Sequence, residues 1–250
     1  MVEGSDGPQG AEVAPRDSAV LEIREMFQQP GCPVCALALR AVGRFIQTIS
    51  YEQVNDPSLR EELRAAGGFC HTHAYHWLRE ARNVLGTAII YRDVLSASQS
   101  QLQDARGGGG PDGGVLSALL GPRPKGRRRR KGTCPACRAQ RQAEDRYLGA
   151  LLQSLADPAV AAEFERSSGL CCEHTREAGR KGGPGSARIV ERTRQALAEL
   201  IGELSEVIRK EDYRFRSEPR TQGETTAPRR AVAWVVGAEG LTRTADSERR

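Results

Sequence analysis

Four short motifs hold the residues best equipped for chemistry in this 250-residue chain: Cys32-Pro33-Val34-Cys35, Cys70-His71-Thr72-His73, Cys134-Pro135-Ala136-Cys137 and Cys171-Cys172-Glu173-His174. Thiolate and neutral imidazole are the preferred ligands of zinc, and two ligands three positions apart lie about one turn of chain apart, close enough to meet on one ion. Each half of the chain supplies one Cys-x-x-Cys and one Cys-x-x-His. That is three thiolates and one imidazole, a complete tetrahedral set. The expected sites are therefore Cys32, Cys35, Cys70 and His73 in the first half and Cys134, Cys137, Cys171 and His174 in the second. The expected cofactor is Zn(2+), two per chain, with an iron–sulfur cluster the lesser alternative. Four protein ligands leave no open position for a substrate, so the sites read as structural rather than catalytic. Such an ion can contribute about 10–16 kcal/mol of apparent folding free energy at neutral pH.

Thiol redox chemistry is the main rival. A Cys-Pro-x-Cys at a helix start can lower a thiol pKa and make a good nucleophile. Glutaredoxin-like proteins, however, place a strand before that turn and a sheet beneath it, whereas here a predicted helix and Pro30-Gly31 precede Cys32. The Cys70/His73 pair would also be left without a role. Cys172 is the odd cysteine and reads as a small residue beside the site. His76 follows His73 by three positions, but its counterpart in the second half is Glu177, which argues against a ligand.

The motifs recur with an offset of 102 residues for Cys-Pro-x-Cys and 101 for Cys-x-x-His, and the correspondence extends between them. Phe45-Ile46 matches Tyr147-Leu148, Asp56-Pro57 matches Asp157-Pro158, and Gly68-Phe69 matches Gly169-Leu170. The chain is a tandem duplication. Its apolar spacing is helical throughout, and no alternating strand pattern competes, which predicts an all-α fold of two tandem helical repeats. Val20, Ile23 and Phe27 mark a first helix, with Asp17 and Ser18 as N-cap candidates. Ala38, Val42, Phe45, Ile46 and Ile49 mark a second, reaching about Val54. A third starts at Asp56-Pro57 and is closed by Gly67-Gly68. The Cys70–His73 motif opens a further helix carrying Leu78, Leu85, Ile89 and Leu95. In the second half Tyr147, Leu148, Leu151, Leu152 and Leu155 repeat the second helix, and the run from Ile189 to Ile208 makes a long last one.

The resulting layout is a disordered N-terminus over 1–16, repeat 1 over 17–104, a Gly-rich and basic linker over 105–132, repeat 2 over 133–216, and a mostly disordered tail over 217–250, with Trp234 in a candidate docking element. The formal net charge of +5 is local, because Arg123, Lys125, Arg127, Arg128, Arg129, Arg130 and Lys131 alone exceed it. Arg127, Arg128, Arg129, Arg130 and Lys131 are a weak candidate for nucleic acid, since no aromatic residue interleaves them and a solvated spacer is the default. Gly108, Gly110 and Gly113 spell a dinucleotide fingerprint, but with no strand before it. No GK[ST] loop, HExxH or GxSxG occurs. With no export signal and no run of about 18 apolar residues, a cytoplasmic protein is expected, with an unknown protein partner and no membrane.

At CPVC, NDP, GGFCHTH and YRDVL, answered by CPAC, ADP and SGLCCEH, the sequence resembles an uncharacterised prokaryotic family, a domain of unknown function with tandem CPxC and G-[FL]-C-x-x-H motifs. The resemblance covers about Met26–Asp93 and Thr133–Thr175. It implies an all-helical fold and the eight candidate ligands, and it brings no known activity. The basic linker, the extended tail and the Gly182–Gly185 insert depart from the pattern. The expectation drawn from all of this is a non-enzymatic metal-binding interaction or regulatory module.

Overall fold

A computed structural model of the chain describes residues 15–107 and 133–242. Ten α-helices and no strand occur among the described residues: α1 (Pro15–Phe27), α2 (Pro33–Thr48), α3 (Pro57–Ala66), α4 (His71–Glu80), α5 (Val84–Gly107), α6 (Pro135–Ser154), α7 (Pro158–Phe164), α8 (Cys172–Lys181), α9 (Pro184–Glu211) and α10 (Gln222–Val236). A π-helical turn, Ile49–Gln53, continues α2. The fold is all-α, as the periodicity predicts.

The Asp-Pro motifs act as the spacing suggests. Asp56 accepts a hydrogen bond from Leu59 N at 2.8 Å and Asp157 from Ala159 N at 2.8 Å, each with proline in the first turn of the helix it caps, α3 and α7. The glycine of each G-[FL]-C motif has a left-handed backbone, φ 95° at Gly68 and φ 68° at Gly169. A side chain there would be strained, and at Gly169 a Cβ would also press on Thr193 at about 3 Å. These turns aim the following cysteine at the start of the next helix.

The described residues form two compact units, and neither is a repeat. The first takes the chain up to Leu37 together with Glu144–Ala238; the second takes Ala38–Ala143 and the chain from Glu239 on. The chain thus passes from one unit to the other within α2 and again within α6. Ile23, Phe27, Tyr147, Leu151 and Phe164 are buried in the first unit, with Phe27 and Phe164 in an edge-to-face contact at 5.5 Å. Val42, Ile46, Ile49, Leu63, Trp77 and Ile90 form the core of the second, where Phe69 stacks on Trp77 at 5.6 Å.

Two expectations about the elements need correcting. The helix opened by Cys70 does not run on to Leu95, because it breaks at Ala81–Asn83. Arg82 is left-handed with φ 43°, and Asn83 caps α5 by accepting from Gly86 N at 2.8 Å while its amide donates to Ser50 O at 2.9 Å. The helical phase restarts there, so Leu78, Leu85 and Leu95 are exposed and Trp77, Ile90 and Val94 take the core positions. The described part of the expected tail, 217–242, is built around a helix rather than disordered. It forms α10, started by a reciprocal capping box between Thr221 and Glu224 and tied to α9 by the buried Lys210–Glu224 ion pair at 2.8 Å. Trp234 docks, its indole N–H donating to Leu170 O at 3.0 Å.

Candidate metal centres

All four motifs lie at helix N-termini. The carbonyls of Cys32, Cys70, Cys134 and Cys171 each accept the first i to i+4 hydrogen bond of a helix, from Ala36, Ala74, Arg138 and Thr175. Each motif's second ligand sits three residues on, one turn into the helix. Pro33 and Pro135 occupy first-turn positions where no backbone N–H is missed.

The structure brings all eight sequence-predicted residues together in two groups of four, but it does not pair the motifs within a repeat. The first centre comprises Cys32, Cys35, Cys171 and His174; the second comprises Cys70, His73, Cys134 and Cys137. Each Cys-Pro-x-Cys of one repeat closes on the Cys-x-x-His of the other. The pairing coincides with the core of the second unit: Phe69 belongs to, and Cys70 packs against, the cluster of Val42, Ile46 and Ile49 that also holds Cys134, Ala136 and Cys137.

The distances fit a single tetrahedral ion. With metal–sulfur and metal–nitrogen bonds of about 2.3 and 2.0–2.1 Å, tetrahedral geometry places sulfurs about 3.8 Å apart and sulfur about 3.6 Å from nitrogen. In the first centre Cys35 Sγ lies 3.6 Å from Cys171 Sγ, and His174 Nδ1 is 3.4 Å from Cys32, 3.4 Å from Cys35 and 3.2 Å from Cys171. In the second, Cys137 Sγ lies 3.5 Å from Cys70 Sγ, and His73 Nδ1 is 3.3, 3.8 and 3.4 Å from Cys70, Cys134 and Cys137. A disulfide would hold its sulfurs near 2.05 Å, and all seven cysteines are free. Both groups can hold a metal ion.

Without metal, each group crowds acidic thiols around one imidazole. Hydrogen bonds with Cys134 and Cys137 hold the Cys70 thiol far below its ordinary range, and contacts with Cys32 and Cys35 do the same for Cys171. The partners move the other way: Cys35 is raised by Cys171 and Cys32, and Cys137 by Cys134 and Cys70. Burial opposes charge on His73, but hydrogen bonds to Cys134 and Cys70 outweigh it and the imidazole is pushed up to about 9. His174 is raised too, against burial, by Cys171, Cys32 and Glu144. Negative sulfur beside positive imidazole is the charge pattern a cation would replace.

Three features around the ligands are invisible in the motifs. Glu144 faces the outer nitrogen of His174 at 3.7 Å. Leu170, next to Cys171, has its N–H on Thr193 Oγ1 at 3.2 Å and its carbonyl on Trp234. Thr242 places its hydroxyl 3.6 Å from Cys70 Sγ and 3.9 Å from Cys137 Sγ. Cys172 is half-buried and belongs to neither group, and His76, buried, stays outside the second. Arg127, Arg128, Arg129, Arg130 and Lys131 lie outside the described residues. No described helix is long and apolar enough to cross a membrane.

No solved structure matches the chain. It is similar to an uncharacterised 23.9 kDa protein encoded in the xynA 3' region of Caldicellulosiruptor sp. (strain Rt8B.4), with 28% identity over 218 residues, covering 86% of this chain and 99% of that protein. A family model matches residues 18–240, a span containing all eight clustered ligands, and the chain belongs to that family, the family of unknown function DUF6062.

Proposed function

We propose that this protein is a non-enzymatic zinc protein in which two closed Cys3His centres hold a helical scaffold that acts as an interaction or regulatory module. The observation that carries this reading is the tetrahedral spacing of four donors in each group. Three thiolates and one imidazole suit zinc better than magnesium, calcium or manganese, which favour oxygen. A polynuclear iron–sulfur cluster would send its ligands to different irons and hold them farther apart than one ion does. Four protein ligands leave no position for substrate or activated water, which favours a structural role over hydrolysis. Three thiolates on Zn(2+) leave a net charge of −1, and each centre sits between two helix N-termini whose dipoles favour that charge: α2 and α8 for the first, α4 and α6 for the second.

The test is elemental analysis of protein purified without added metal or chelator, paired with a count of reactive thiols. About two zinc per chain with only Cys172 reacting freely is the expected result. A metal-free chain whose thiols all titrate and oxidise readily would overturn it in favour of thiol redox chemistry.

A further inference from the structure

The duplication lets each centre serve as the control for the other. Position 144 of α6, where Glu144 faces His174, corresponds through the 102-residue offset to Val42 of α2. Val42 belongs to the apolar core of the second unit. The buried Nε2 of His73 has no hydrogen-bond partner among the described residues. A carboxylate behind a ligating imidazole raises its basicity and fixes its orientation, and removing such a partner typically weakens a site about 10–100-fold. The first centre has a carboxylate in that position, 3.7 Å from the imidazole, and the second has none at the matching residue.

The covers differ as well. Over the first centre lies the end of α10, anchored by Trp234 on Leu170, with Gly237 positioned so that a Cβ would come 3.9 Å from Cys35 Sγ. The second is covered by the irregular stretch Glu239–Thr242. Gly240, at φ 92°, turns that stretch against Leu39, and the side-chain amide of Gln140 clips Thr242 at both backbone groups: Nε2 donates to Thr242 O at 2.7 Å and Oε1 accepts from Thr242 N at 2.9 Å. The clip places the Thr242 hydroxyl over Cys70, the half-buried thiolate of this centre, and over Cys137. The counterpart of Gln140 in the first repeat is Ala38, which has no amide to offer. One clip of two hydrogen bonds at an irregular segment opens far more readily than a packed helix end.

We propose that the centre of Cys70, His73, Cys134 and Cys137 is a gated, exchangeable metal site closed by the strap Glu239–Thr242, while the centre of Cys32, Cys35, Cys171 and His174 keeps its ion. This rests on both groups binding metal, and it names how one of them is regulated. When the strap lifts, a thiol-rich or multidentate acceptor reaches Cys70 and displaces the protein ligands one by one. The acceptor takes the divalent ion, and the freed thiolates and imidazole take protons from solvent.

The test uses the full chain loaded with zinc, with 4-(2-pyridylazo)resorcinol as the acceptor, and iodoacetamide labelling read by mass spectrometry to locate freed thiols. Release in two phases of one zinc each is expected, at rates separated by at least tenfold, with Cys70, Cys134 and Cys137 labelled in the fast phase and Cys32, Cys35 and Cys171 only in the slow one. Gln140→Ala should speed the fast phase several-fold and leave the slow one unchanged. Thr242→Val, which keeps the side-chain shape, should do the same to a smaller degree should Gln140→Ala perturb folding. Release in a single phase, labelling of Cys32 or Cys35 first, or no response of the fast phase to Thr242→Val would overturn the gate. A chain that takes up no zinc at all fails before the assay begins, at the loading stoichiometry, and overturns the metal reading together with the gate.

Discussion

In the first unit the loop leading to Cys171 is fixed by Thr193 and Trp234 and His174 is faced by Glu144, whereas in the second unit the outer nitrogen of His73 has no hydrogen-bond partner among the described residues and the thiols are covered by a four-residue strap. The donor sets and the pairs of helix N-termini are equivalent. What differs is everything one layer out, where the two copies of an ancestral repeat have diverged at positions 38 and 140 and at 42 and 144. On the proposed metal reading, the ligands would define which ion is held, and the layer behind them how tightly and for how long.

The largest effect that could break the comparison comes from removing ligands. Cys35→Ser and Cys171→Ser belong to different repeats but to one centre, so each should cost one zinc per chain and unfold the first unit to a similar extent, by several kcal/mol. Cys70→Ser and Cys137→Ser should do the same to the second unit. Hydrogen exchange followed by mass spectrometry reads this directly. If Cys35→Ser and Cys70→Ser loosened the same peptides, the exchange of motifs between repeats would be wrong.

Acid gives the next largest change. Metal-free His73 holds its proton up to about 9 and must shed it to bind an ion, so the metal-free state binds more protons than the loaded one throughout the neutral range. Affinity of the second centre should therefore rise with pH, at least about tenfold per unit, and this contribution should level off above about 9. Competition for zinc against a chelator of known affinity, repeated from pH 6 to 9, measures it. A flat profile would mean that neither the imidazole nor the raised Cys137 thiol gives up a proton on binding, and would overturn this ligand set.

How much of this was legible in the sequence differs between ligand identity and ligand pairing. Duplication and three-residue spacing mark all eight ligands, because each spacing is local and each copy checks the other. Pairing is a long-range choice between two arrangements of two Cys-Pro-x-Cys and two Cys-x-x-His motifs, and spacing is silent on it. It coincides with tertiary packing that puts Phe69 and Cys70 in one apolar cluster with Cys134 and Cys137, contacts far apart in the chain that a local apolar pattern does not convey. The break at Arg82 was hidden for a different reason: no glycine or proline marks it, and the cap comes from Asn83, whose amide is fixed by Ser50 far back in the chain. The helix α10 did leave a signal, since Thr221 and Glu224 have capping-box spacing, but Pro228 inside the helix and the Thr- and Arg-rich composition pointed to a coil. Its stability is tertiary, supplied by Lys210 and by the docking of Trp234.

Glu144 sharpens the comparison most directly. Glu144→Val installs the residue that the first repeat carries at the matching position, and it should make the first centre behave more like the second, with zinc release faster by about 10–100-fold. The fast phase from the second centre should not change. The same acceptor titration reads both rates in one trace, and an unchanged slow phase would show that the 3.7 Å approach of Glu144 is too long to support the imidazole.

The smallest expected effect concerns Trp234, which binds the first centre's loop by one hydrogen bond and by its ring. Trp234→Phe keeps an aromatic ring and deletes the indole N–H, leaving the carbonyl of Leu170, among the described residues, the longer contact from Thr175 Oγ1 at 3.4 Å. A neutral hydrogen bond of this kind contributes about 0.5–1.5 kcal/mol, so thermal unfolding of the first unit should fall by a few degrees while the second unit stays put. Cys171 directly follows Leu170, so a looser carbonyl also loosens the turn that delivers the thiolate, and the slow zinc phase should quicken by a factor of a few at most. Equal destabilisation of both units would mean that α10 is a general brace rather than the cover of one centre. An effect confined to the first unit would place the inequality of the two sites in the tail as well as in Glu144, since among the described residues the tail meets the first centre through a helix and the second through the strap that follows Gly237.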